Sequence, residues 1–202
     1  VEVETHAAFD IGYSDDTAIW WWQIINGEIH VIDHFATNGE NIAFYSTILS
    51  EKGYNYPKMG GKPFVWLPHD ARAKTLAAAG KSVQEQFLTL GFASRIVPTL
   101  SIQDGIQAAR MTLPKCWFDR DKCRDGLNSL SLYRREFDEG RKVFREHPLH
   151  DWTSHDADAF RMLSVAWREE QKPKPPPEIR FPTQQTIAEL IKAQRTKRLN
   201  DD

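Results

Sequence analysis

Residues 5–35, THAAFDIGYSDDTAIWWWQIINGEIHVIDHF, decide how the chain folds. Three apolar runs, THAAFDI at 5–11, TAIWWWQII at 17–25 and EIHVIDHF at 28–35, are separated by the loop GYSDD (12–16) and by Asn26-Gly27. Asn-Gly between two strand-like runs is a strong hairpin signal, because both central positions of the favoured turn need positive φ. The reading is an antiparallel three-strand meander with Asp10 near the end of its first strand. Trp20, Trp21 and Trp22 could suggest a base-stacking platform. Alternate residues of a strand point to opposite faces, however, and the neighbours here are all apolar, so the three indoles are read as core.

Beyond the meander the pattern alternates. Asn41 to Lys52 carries Ile42, Phe44, Tyr45, Ile48 and Leu49 near a 3.6-residue stripe, with Gly53 placed to end a helix. KPFVWLP reads as a short buried strand, Ser82 to Leu90 as a Ser-capped helix stopped by Gly91, and ASRIVP at 93–98 as another strand. Helical spacing returns over Ile102–Leu113 and Arg124–Phe137, RKVFRE at 141–146 reads as one arm of a small hairpin, and a long helix runs from near Thr153 to about Glu170. The expected class is α/β, with a mixed five-stranded sheet (the meander plus two further strands) flanked by helices. QKPKPPPEIRFP then breaks the pattern. It divides the chain into a domain over 1–171 and, over 172–202, a proline-rich linker with a short basic helical tail.

Composition narrows the class without naming a reaction. With 202 residues, 41% hydrophobic, seven Trp and eleven Phe, the chain can fill a core, while a net charge of −2 supplies no global pull toward nucleic acid. No apolar run approaches the roughly 18 residues that span a bilayer, and no signal-peptide pattern opens the sequence. Cys116 and Cys123 lack paired CxxC spacing, and the seven histidines form neither HExxH nor HxH, so a zinc site and a disulfide are not expected. AGKS at 79–82 ends like a phosphate-binding loop, but Thr75 stands where that motif requires glycine, and no ATP site is expected.

The chemistry is carried by aspartates at the ends of apolar segments. Asp10 closes the first strand and is followed by Gly12, which lets the backbone turn close to a ligand. Asp70 follows the apolar run KPFVWLPH, with Arg72 and Lys74 just beyond as candidate contacts to backbone phosphates. SHDADAFR offers Asp156 and Asp158, roughly 200° apart on a helix, so one of them faces the cluster. Thr153 and Asp156 have capping-box spacing, which gives Asp156 a structural task, while a helical wheel sets Asp156 nearer the apolar face. Asp158 is taken as the third member, with Asp156 as the alternative. Asp15 and Asp16 are read as loop carboxylates, Asp16 being placed to assist a second ion, and His69 and His155 as supporting residues. Clustered carboxylates repel one another unless a cation neutralises them, and this donor set suits Mg²⁺ or Mn²⁺. Two ions about 4 Å apart would serve a metal-dependent phosphodiester hydrolase.

In strand and helix order, and in the placing of its acidic residues, the chain resembles the ribonuclease H-like superfamily. Within it, DIGYSDDTA and SHDADAFRM are similar to the nuclease domain of the large terminase subunit of tailed bacteriophages, of the headful-packaging type, over roughly residues 5 to 170. The resemblance implies a two-metal endonuclease that cuts concatemeric double-stranded DNA during genome packaging, with an acidic triad at Asp10, Asp70 and Asp158. It also implies an ATPase motor outside this sequence, so that the chain is a C-terminal fragment, and a portal protein and small terminase subunit as partners. The tail would be a docking element, and the place of action the procapsid portal in the infected bacterial cytoplasm. Two other readings are a DNA- or portal-binding module with an idle acidic cluster, and a junction resolvase or transposase-type nuclease on the same scaffold.

Overall fold

The computed structural model describes residues 3–12, 16–74 and 80–171. The meander is present as β1 (Thr5–Asp10), β2 (Thr17–Ile25) and β3 (Glu28–Thr37), paired antiparallel in sequence order. Asn26 and Gly27 take φ of 53° and 83° between the paired Ile25 and Glu28, which is the left-handed backbone that a two-residue hairpin demands. Asn41 caps α1 (Ile42–Lys52) by accepting from the Phe44 amide, and Gly53 ends it at φ 62°.

The remaining elements extend the sheet around β1. A two-residue strand β4 (Lys58–Met59) leads into β5 (Lys62–Leu67), which lies parallel to β1 and is followed by a short 3-10 helix, His69–Arg72. The capping box of Ser82 and Glu85 opens α2 (Val83–Thr89), and β6 (Ala93–Ile96) then pairs parallel with β5. The helix α3 (Ile102–Thr112) precedes β7 (Cys116–Phe118), which pairs parallel with β3. The chain continues through α4 (Arg124–Leu132), a separate hairpin of β8 (Arg135–Asp138) and β9 (Val143–Pro148), and the long α5 (Ser154–Gln171).

The main sheet therefore runs β6-β5-β1-β2-β3-β7, with β4 beside the start of β5. The five expected strands form its body, and two short ones widen it. Neither β4 nor β7 is long enough to show period-two alternation. The helix expected over 124–137 ends at Leu132, because residues 135–138 pair with β9 and Phe137 stacks edge-on against Phe144 at 5.0 Å. A cross-strand partner outweighs local helical spacing there.

Alternation in β1 and β2 divides the core into two layers. Ala8, Trp20, Trp22 and Trp66 pack toward Ala159, Phe160, Leu163 and Ala166 of α5. Ala7, Phe9, Ile19 and Trp21 pack with Tyr45 and Leu49 of α1 and Phe87 of α2. All three consecutive tryptophans are fully buried, and burial of an indole of roughly 150–250 Å² contributes about 4–6 kcal/mol as an upper bound. Cys116 and Cys123 are free thiols, each pushed up to about 12 by burial. Among the described residues, no helix is long and apolar enough to cross a membrane. The proposed linker and tail, 172–202, lie outside the described residues.

Candidate active site

Asp10 is the last residue of β1 and shares a face with Ala8, so its carboxylate projects toward α5. There the Nδ1 of His155 lies 3.2 Å from its Oδ2. One helical turn further on, Asp158 faces the same side, and Arg161, another turn along, places Nη2 at 2.6 Å from its Oδ1. Burial raises the Asp158 pKa above the ordinary carboxylate range; the Arg161 guanidinium opposes the shift, and the negative charge of Asp10 adds to it. Two partly covered carboxylates thus repel one another across this corner of the sheet, with His155 and Arg161 as their counterweights.

Asp70 follows the strand next to β1. Because β5 runs parallel to β1 (Ala8 opposite Trp66), the segment after Leu67 leaves the sheet at the same edge as Asp10. Asp70 lies in the first turn of the 3-10 helix, is exposed, and lines an open depression of about 620 Å³ together with Ile11, Gly12, Thr17 and Asn41. Arg72 is exposed at the end of the same short helix. Lys74 sits 3.5 Å from Glu85 Oε1 at the start of α2, with its side chain 67% exposed. Asp16 lies half-buried just before β2, and Asp15 is outside the described residues. Among the described residues, no three His, Cys, Asp or Glu side chains converge closely enough to enclose a metal ion. Asp10 and Asp158 approach from β1 and α5, while Asp70 lies beyond the end of β5, in the depression that Ile11 and Gly12 also line.

Asp156 has a different environment. It is buried, its Oδ2 accepts a hydrogen bond from the Ser129 hydroxyl at 2.5 Å, and its Oδ1 lies 2.7 Å from His34 Nε2. Its carbonyl accepts from Trp20 Nε1 at 2.9 Å. The capping-box spacing is not used as such, since the Thr153 hydroxyl donates to Asp151 while Asp156 ties α5 to β3 and α4. Gly126 completes this joint: a Cβ there would lie 2.4 Å from the Trp20 ring and 2.7 Å from His34. Sequence reasoning did not anticipate His34 or Arg161. The spacing of Asp158 and Arg161, i and i+3 in DAFR, was the available signal for the second; nothing local signals the first, which lies 122 residues from its partner.

No family model and no curated protein matches the chain. Among solved structures, the large terminase of a thermophilic bacteriophage superposes at TM-score 0.61 and 14% identity, over 82% of this chain and 40% of that one. The large-terminase (g2p) nuclease domain of bacteriophage SPP1, solved with bound Mn, matches at TM-score 0.57 and 11% identity, over 82% of this chain and 86% of that one. The fold is that of large-terminase nuclease domains. The P22 large-terminase nuclease domain extends the terminase likeness, at TM-score 0.56 and 17% identity over 83% and 82% of the two chains. The terminase-nuclease fold is the ribonuclease H-like α/β arrangement expected from the sequence, and the chain spans about 40% of the thermophilic phage's large terminase.

Proposed function

We propose that this chain is a metal-dependent endonuclease that cleaves concatemeric double-stranded DNA during the packaging of a viral genome. The observation that carries this reading is the approach of Asp10 and Asp158 at the end of β1, with Asp70 delivered to the same sheet edge, on a fold shared with terminase nuclease domains. The donor set fits a divalent cation. Asp158 is a covered carboxylate whose pKa is raised by burial and further by the charge of Asp10, and a cation between them would relieve that repulsion. The SPP1 neighbour, solved with bound Mn, supports the same choice.

In this reading Asp10, Asp70 and Asp158 would hold Mg²⁺ or Mn²⁺, with two ions in the complete site. When bound, such ions supply a water activated at neutral pH and stabilisation of the leaving oxygen. The side chains do the rest. His155 holds the Asp10 carboxylate in one orientation through its Nδ1, and Arg161 does the same for Asp158. Arg72 and Lys74, exposed beside Asp70, take backbone phosphates and set the register of the duplex without reading its sequence. An ATPase motor, a portal protein and a small terminase subunit are the proposed partners, and the procapsid portal in the infected cell is the proposed place of action.

Asp10→Asn tests the reading by cleavage and by metal binding together. The expected result is loss of Mn²⁺-dependent plasmid cutting, weakened Mn²⁺ binding by electron paramagnetic resonance, and an unchanged melting temperature. Undiminished cutting would overturn the assignment. A second reading, a DNA- or portal-binding module with idle carboxylates, draws on the direct ion pair of Asp158 with Arg161. Under it Mn²⁺ titration would give no binding that depends on Asp70 or Asp158.

A further inference from the structure

A cavity of about 190 Å³ lies between α3, α4, the β8–β9 hairpin and α5, behind the face of α5 that carries Asp158. Its floor is apolar, formed by Ile106 and Ala109 of α3, Leu130 of α4 and Phe160 of α5. Its rim is strongly basic. Arg110, Arg134, Arg135 and Arg161 all line it, against one carboxylate residue, Glu146. Arg134 is tied to the Leu132 carbonyl and approaches Asp151 at 3.8 Å. Arg110 and Arg135, by contrast, have no side-chain partner among the described residues. Guanidiniums gathered at one opening repel one another, and an anion held between them offsets that cost.

Two features indicate that this opening is a built site. Arg161 is 11% exposed; its Nη2 is spent on Asp158, while its Nε is buried without a partner. Gly105 stands inside α3 where a Cβ would come within 3.2 Å of Arg161 Nη1. Glycine within a helix is less favourable than alanine, so α3 gives up helix stability where Arg161 passes. Tyr133 adds a neutral donor, since burial, aided by the charge of Asp158, pushes its phenol up to about 12. Gln103 Nε2 donates to the Glu146 carbonyl at 2.6 Å and holds the hairpin over the opening.

We infer that this cavity binds a nucleoside 5′-monophosphate group, with the base on the apolar floor and the phosphate between Arg110 and Arg135. Guanidinium forks match phosphate oxygens in pairs, and an apolar floor rewards a flat ring that a bare anion lacks. The volume, below the roughly 300–1,000 Å³ of pockets for drug-sized ligands, admits one ring and leaves its charged group at the rim. The same chemistry occurs in a free mononucleotide and at the 5′-phosphorylated end of a DNA strand. Asp10 and Asp70 line no part of the cavity, so occupancy does not require the metal-dependent cleavage proposed above.

The test is calorimetric titration of the full chain, without metal, using dAMP, deoxyadenosine and inorganic phosphate. Binding of dAMP is expected on the order of 0.1 mM, with nucleoside and phosphate each weaker by about tenfold or more. Arg110→Gln combined with Arg135→Gln should weaken dAMP by on the order of tenfold at unchanged circular dichroism, because both side chains are exposed and unpaired. A 5′-phosphorylated trinucleotide that displaces dAMP, where its 5′-hydroxyl counterpart does not, assigns the site to strand ends; failure of both to displace it assigns the site to free nucleotide. Absence of dAMP binding at millimolar concentration, phosphate binding as tight as dAMP, or an unchanged affinity in the double variant would each overturn the inference. Because no metal or cleavage is involved, these results stand whether or not the chain is a nuclease.

Discussion

Asp156 and Asp158 lie two residues apart on one helix and live in opposite environments. Asp156 is folded into the joint between α5, β3 and α4, with both carboxylate oxygens engaged by His34 and Ser129. Asp158 looks outward to the corner held by Asp10, where burial and a second carboxylate raise its pKa. The contrast teaches that a carboxylate's task is set by the direction of its side chain. Asp156 trades solvent for fixed hydrogen-bond partners and locks the first turn of α5, which lets Asp158 and His155 meet β1 in a defined geometry.

The strongest way to break this comparison is to exchange the two roles by mutation. Under the proposed nuclease function, Asp158→Asn should lower metal-dependent DNA cleavage by on the order of 10⁴-fold, roughly 5 kcal/mol of barrier, with little change in melting temperature. Asp156→Ala should do the reverse. Removing one member of a buried pair leaves His34 and Ser129 facing an empty site and should cost about 4 kcal/mol of unfolding free energy in urea titrations, while the folded fraction still binds Mn²⁺. Loss of Mn²⁺ binding in folded Asp156→Ala would place Asp156 among the ligands and collapse the distinction.

A third buried ionisable group sharpens the point. His6, stacked on Trp22 with ring centroids 5.1 Å apart, is lowered from 6.5 to about 4, first by burial and then by the charge of Arg95. The unfolded chain therefore takes up a proton below pH 6.5 that the folded chain refuses until about pH 4. Stability is unaffected by this group above pH 6.5 and falls as pH drops through that window, by about 3 kcal/mol at its lower end. His6→Phe should flatten that part of a stability–pH profile. The smallest effect is expected at Gly126→Ala, where the added methyl meets Trp20 and His34; about 2 kcal/mol of overpacking should loosen the joint that Asp156 closes, read as a lower melting temperature.

Much of the scaffold was legible because its signals are local. Asn26-Gly27 has few backbone options, alternation around Trp20–Trp22 needs two buried faces, and Asn41, Ser82 and Gly53 are cap residues with strong positional preferences. The short β4 and β7 were not legible, since two or three residues carry no period. The end of α4 was misplaced for a related reason: Phe137 fits a helical stripe, but its partner Phe144 lies across the hairpin. Asp10 could be set at the end of β1 and Asp70 just past the apolar run of β5 from pattern alone, whereas the partners of the α5 carboxylates could not.

The sequence by itself determined the meander, the two-faced core and the presence of aspartates at the end of β1 and just beyond β5, because turn chemistry and period-two burial act over a few residues. Tertiary structure alone decided the rest. It turned Asp156 into the core against His34, 122 positions away, opposed Asp158 to Asp10 and set Arg161 between Asp158 and a basic cavity. Those outcomes depend on burial and on charges brought close by the sheet, quantities that exist only once the chain has folded.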